Sequence, residues 1–226
     1  MGSGIIKQQI HRELLVLRRQ KQSFLQSLLF FLMFIAFFPL AIPYDPEILR
    51  LICPGVVWLS ATLAIFLSAE RFYQQDIEYG YLEQWLVKKH SLSLYVSIKL
   101  CIHGGIHLLA ILVVSPVIAL MYQLSAYEWI ALVVSLLLGL PSIIAMCSLV
   151  SAFGSYGKDR ALVMLLILFP LILPVIMLGS SCLATAMQGL AFQALAALML
   201  ALSIGMMTIL PFASALILTI CIEHGF

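Results

Sequence analysis

Residues 68–89 read SAERFYQQDIEYGYLEQWLVKK, and the position of this polar island between two long apolar runs decides the fold. It carries Glu70, Asp76, Glu78 and Glu83, four of the ten carboxylates in the chain. Working outward, apolar runs fall at about 24–42, 51–69, 96–121, 129–153, 161–180 and 194–222. Each approaches or exceeds the roughly 20 residues a bilayer-spanning helix needs. Across 226 residues 63% are hydrophobic and 10% charged, far fewer charges than the roughly 25% of soluble domains. The expectation is an all-α, polytopic membrane protein with six transmembrane helices, residues 1–226 forming a single transmembrane domain.

Lysine and arginine orient it. Lys7, Arg12, Arg18, Arg19 and Lys21 precede the first span; Arg71, Lys88, Lys89 and Lys99 lie in or beside the second loop; Lys158 and Arg160 lie in the fourth. Only Arg50 falls on the other side, which predicts a cytoplasmic N-terminus, and six spans return the C-terminus to the same side. The loops at 43–50, 122–128 and 181–193 then face outward. No cleavable signal peptide is read at the N-terminus, because the first apolar run begins only near Phe24.

Residues 5–22 place Ile6, Ile10, Leu14 and Leu17 at helical spacing, with Lys7, Arg18 and Lys21 mostly off that stripe. This describes a helix lying in the membrane interface. It is either a basic anchor or an elbow that also touches a cytoplasmic partner.

The loop at 70–93 is the one large enough to bind something specifically. Nothing before Gly80 breaks a helix running from the second span to about Tyr79, and Gly80 permits a turn. A second short helix from Tyr81 to about Lys89 would place Leu82, Trp85 and Leu86 against lipid or protein and Glu83 toward water. On an unbroken helix Tyr73, Ile77, Tyr81 and Trp85 would form one aromatic stripe. A solvated helix extension is the bland reading; the acidic bias beside aromatic anchors at the end of a rigid span favours a protein–protein contact.

Inside the third span Lys99, His103 and His107 recur every four residues, on one helix face. Lys99 is expected to snorkel to the headgroups. The histidines are either a haem- or proton-handling pair or a packed, hydrogen-bonded or dimer-facing one, and Gly104-Gly105 between them favours packing. The five cysteines are scattered singly, without ligand spacing, so no metal site is expected. After Pro170 and Pro174, residues 179–189 carry no charge and read as a candidate re-entrant hairpin. Pro116, Pro141 and Pro211 predict kinks.

Cys53-Pro-Gly-Val-Val-Trp58, Glu70-Arg71, Asp76, Gly80 and Leu82-Glu83-Gln84, in that order, resemble the B-subunit family of the cytochrome c maturation system, the haem exporter permeases of ABC-2 type. Phe38-Pro-Leu40, the run from Leu136 to Pro141, the run from Phe169 to Pro174 and Pro211-Phe-Ala213 extend the resemblance over nearly the whole chain. Members often carry prolines just after the Leu-Glu-Gln block, whereas Leu86 to Tyr95 contains none.

The resemblance implies an ABC-2 permease fold in the bacterial inner membrane, with a coupling element between the second and third spans. It also implies a permease homodimer joined to a separate cytoplasmic ABC ATPase of the cytochrome c maturation A type, with the haem-handling C subunit, the small D subunit and, indirectly, a periplasmic haem chaperone. Glu70, Arg71, Asp76, Gly80, Leu82, Glu83 and Gln84 are its expected ATPase-coupling residues. Haem is a candidate cargo and ATP belongs on the partner, since the sequence holds no G-x-x-x-x-G-K-[ST] motif. No cofactor bound directly, no catalytic residue and no nucleic-acid partner is expected. The competing readings are a permease for lipid or polysaccharide, an intramembrane enzyme using His103 and His107, and a non-transporting scaffold.

Overall fold

The structure, a computed structural model, describes residues 2–19, 21–42, 45–69, 72–88, 90–154 and 160–223. Among them the chain forms only helices: α1 (Gly2–Arg19), α2 (Lys21–Ala41), α3 (Pro46–Ala69), α4 (Gln74–Glu78), α5 (Tyr81–Val87), α6 (Leu92–Met121), α7 (Ala126–Gly154), α8 (Arg160–Met187) and α9 (Gln193–Glu223). Six segments are long and apolar enough to cross a bilayer, so the all-α polytopic fold expected from the apolar runs is the one observed.

α7 is the hub. It packs against α3, α6, α8 and α9, and 67% of its span is buried against 17% for the α2 span. Its sequence explains why: Ala131, Ser135, Gly139, Ser142, Ala145, Ser148 and Ala152 are buried small residues that let neighbouring backbones approach. The closest approach is made by Trp58 of α3, which is wholly buried. A Cβ added at Gly139 of α7 or Gly179 of α8 would overlap its indole, so three helices meet around one ring.

Two of the prolines inside these helices leave carbonyls that substitute donors satisfy. Pro39 denies the Ile35 carbonyl its helical N–H, and the Tyr122 hydroxyl donates to that oxygen at 3.1 Å, fastening the end of α6 to α2. Pro116 does the same to Leu112, whose carbonyl accepts the Ser115 hydroxyl at 2.8 Å. Ser115 in turn accepts the Trp129 indole N–H at 3.1 Å.

Two sequence expectations fail here. α8 continues through Met187, so residues 179–187 form no re-entrant hairpin, and the break is the turn at Gly189, with φ 72°. Weak polarity misled: Ser180 donates to its own helix at Met177, 3.2 Å, while Cys182, Leu183 and Ala186 pack inward. The second failure is the unbroken helix to Tyr79. α3 is described as far as Ala69, and a turn at Phe72–Tyr73 separates it from α4. Buried Tyr73 bonds Ser148 of α7 at 2.5 Å and so pulls the chain into the bundle.

Candidate functional site

The features singled out in the sequence collect at one end of the bundle, where α1, α4 and α5 lie over α6. The polar strip of α1 faces the protein: Gln9 and Glu13 are buried, whereas Ile6, Ile10 and Leu14 are exposed. Such inversion suits a helix whose apolar side meets lipid rather than water. Glu13 is the one acid in α1.

α4 begins after the Tyr73 anchor and buries Asp76, which is 3% exposed. Its carboxylate accepts from Arg12 of α1 and from Lys99 and Tyr95 of α6. Glu13 accepts from Gln9 at 2.9 Å and Arg12 at 3.1 Å, and lies 3.6 Å from the Lys99 ammonium and 3.4 Å from His103 Nε2. Two carboxylates and two basic side chains thus face one another, contributed by three separate elements. Burial would raise the Glu13 carboxyl, yet the Lys99 charge and the His103 contact hold it below its ordinary value. Burial works against the Arg12 charge, and Asp76 more than restores it.

Aromatic rings wall the cluster. The Arg12 guanidinium stands 3.4 Å from the Tyr81 ring centroid, close enough for a cation–π contact, and the Tyr81 hydroxyl donates to Gln9 at 2.6 Å. Tyr73, Tyr81 and Trp85 do not line one helix face. They converge instead on Tyr95, with centroid separations of 6.5, 6.0 and 5.9 Å.

Gly80 takes φ 63°, the left-handed turn that glycine adopts without steric cost, and so aims α5 along the surface. Leu82 and Trp85 face inward while Glu83 and Gln84 are exposed. Of the expected coupling residues, Gly80, Leu82, Glu83 and Gln84 therefore share one surface helix and the turn that starts it. Asp76 stands behind them inside the protein, not on a docking face: a carboxylate with three donors around it gains more from them than from water. Glu70 and Arg71 lie outside the described residues.

Lys99 is likewise a correction. It does not snorkel; it is 2% exposed, enclosed by its carboxylate partners and by Phe72, Tyr73 and Tyr95. His103 joins the edge of the cluster. His107 is one turn further in, its Nδ1 3.0 Å from the His103 carbonyl and its Nε2 buried without a partner. Lys99 and His103 therefore act together, and His107 stands apart from the charges. Among the described residues no group of three or more His, Cys, Asp or Glu is placed to hold a metal ion.

Sequence reasoning missed Arg12, Glu13, Gln9 and Tyr95. One signal pointed to Glu13: a lysine inside an apolar span calls for a carboxylate, and Glu13 is the isolated acid in the interfacial helix. What the cluster can do is mechanical, since displacing α4 must drag α1 and α6 or break buried ion pairs.

Comparison with known proteins adds an independent result. The family described as CcmB protein matches residues 5–221. Heme exporter protein B of Pseudomonas aeruginosa is 36% identical over 214 residues, 94% of this chain and 96% of that protein. The Haemophilus influenzae protein of the same name is 33% identical over 215 residues, covering 95% and 97%. That of Rhodobacter capsulatus is 29% identical over 206 residues, covering 91% and 94%.

Proposed function

The chain belongs to the CcmB protein family, and from that premise we propose that it is the membrane-spanning permease subunit of an ABC transporter serving haem export in cytochrome c maturation. Its relatives are named heme exporter protein B. It sits in the bacterial inner membrane with both termini cytoplasmic, as the distribution of lysine and arginine supports. Two permease copies join two copies of a cytoplasmic ATPase subunit, with the C and D subunits and the periplasmic haem chaperone on the far side of the work cycle. Nucleotide hydrolysis belongs to the ATPase. The present chain performs no chemistry and carries motion, coupled to haem export or to release of the loaded chaperone.

The single observation that carries this reading is the linkage behind α5. Glu83 and Gln84 offer a polar face on a short surface helix, and Asp76, one turn of chain earlier, is tied to Arg12 and Lys99. A push on α5 and α4 is thereby delivered to α1 and to the 30-residue α6. The segment 70–93 is the coupling element of the single transmembrane domain.

Glu83→Lys tests it. The side chain is exposed, so the variant is expected to reach the membrane in normal amount and to lose co-purification of the ATPase by tenfold or more, about 1.4 kcal/mol. Undiminished co-purification refutes the assignment of α5 as the docking helix.

A further inference from the structure

α1 and α5 do not close on each other completely. Between them lies a cavity of about 260 Å³, lined among others by Gln8, Arg12, Gln84, Trp85, Lys88 and His90. Its walls bring together cations, amides and aromatic rings, and among the described residues no carboxylate lines it. Glu13 and Asp76, which neutralise Arg12, lie outside it. Lys88 is exposed, and among the described residues it pairs with no carboxylate. On the other flank of α1 is an open trough of about 720 Å³ floored by Ile10, Leu14 and Leu15. Gln8 and Arg12 line both spaces, so a polar pocket and an apolar trough meet over one turn of helix.

That juxtaposition matches a molecule with an anionic head and a hydrocarbon tail. We propose that the cavity between α1 and α5 is a binding site for an anionic phospholipid, its phosphate held by Lys88 with Gln8 and Gln84, and an acyl chain laid along Ile10 and Leu14. Three features support it. α1 turns its apolar side outward, as a helix in the interface does. Trp85 and Tyr81 line the cavity, and such rings favour the headgroup level. A phosphate supplies the charge that the pocket walls lack, and basic pockets at the membrane surface take such headgroups. The bound lipid acts as a wedge that fixes the spacing between α1 and α5. This inference does not depend on cargo; it shares Gln84 with the face of α5 assigned to the ATPase, and its test uses this chain alone.

The test uses the full chain purified in a neutral detergent, offered phosphatidylglycerol or phosphatidylcholine with identical acyl chains, with retained lipid counted by native mass spectrometry. Phosphatidylglycerol should be retained about fivefold more, the weight of one lysine facing an anionic headgroup, and Lys88→Glu should abolish that preference. Lys88→Gln, which removes the charge and nearly keeps the size of the side chain, should bring the two lipids to near-equal retention and serves if the glutamate variant fails to accumulate. Equal retention of the two lipids, or an undiminished preference in both variants, overturns the proposal. Complete displacement of phosphatidylglycerol by millimolar inorganic phosphate would assign the pocket to the free anion, and also overturns it.

Discussion

Both ends of the bundle carry buried acids paired with arginine, and the two arrangements do different work. At the end opposite α4 and α5, Arg50 donates to Glu128 at 2.5 Å and to the Gln123 carbonyl at 2.5 Å. Glu128 also accepts the Ser125 N–H at 2.7 Å while its own N–H reaches the Ser125 hydroxyl at 3.4 Å. That is a capping box at the start of α7, and Arg50 clamps it to α3 across the turn at Gln123, where φ is 52°. The Arg50 side chain stays 36% exposed. At the other end Asp76 and Glu13 are enclosed, and their partners come from α1 and α6. One arrangement finishes a turn; the other joins elements that would otherwise be free to part.

The comparison breaks most visibly at Asp76. Asp76→Ala leaves Lys99 and Arg12 to share the single charge of Glu13, and removing one partner of a buried pair costs about 3–5 kcal/mol. Thermal unfolding in detergent should show it, together with reduced accumulation in the membrane. Replacing both ions, Asp76→Leu with Lys99→Met, sharpens the point: stability should return to within about 1 kcal/mol of the parent, as buried pairs exchanged for apolar residues often allow, while ATPase stimulation by the assembled transporter stays lost. Recovery of both would reduce the cluster to packing.

Arg50→Ala should cost less, about 1–2 kcal/mol, because a half-exposed guanidinium is partly replaced by water and the Ser125 N–H still satisfies Glu128. Transporter assembly should be unaffected. The smallest effect is in acid. Because Glu13 is held below its ordinary range, its contribution is complete above the unfolded glutamate value of about 4.3 and disappears as pH falls through the lower folded value. A scan of unfolding midpoint against pH should show a steeper acid limb in the parent than in Glu13→Gln, and identical limbs would count against the buried carboxylate.

The contrast also marks what was legible in the sequence. Apolar run length marked the six spans, since lipid demands helices of a certain length and polarity regardless of packing. Gly80 and the inward pair Leu82 and Trp85 could be read from turn chemistry and helical spacing. Asp76 could not be read correctly, because periodicity says which residues share a face and not what lies across from it. Its donors sit 64 and 23 residues away in sequence. The Tyr73 anchor at the turn before α4 depends on Ser148, 75 residues on, and the meeting of Gly139 and Gly179 around Trp58 is equally a matter of tertiary approach. The uncharged stretch after Gly179 looked too polar for a helix core only because hydroxyls that bond their own backbone count as polar in composition and not in effect.

Lys99 has one more consequence, for biogenesis. A lysine within a span costs up to about 2.5–3.5 kcal/mol to insert, yet both acids that meet it, Glu13 and Asp76, are made earlier in the chain. Both counter-ions are therefore synthesised before α6, an order that lets the ammonium meet them as it inserts, and moving either acid downstream of α6 should lower insertion of the nascent protein.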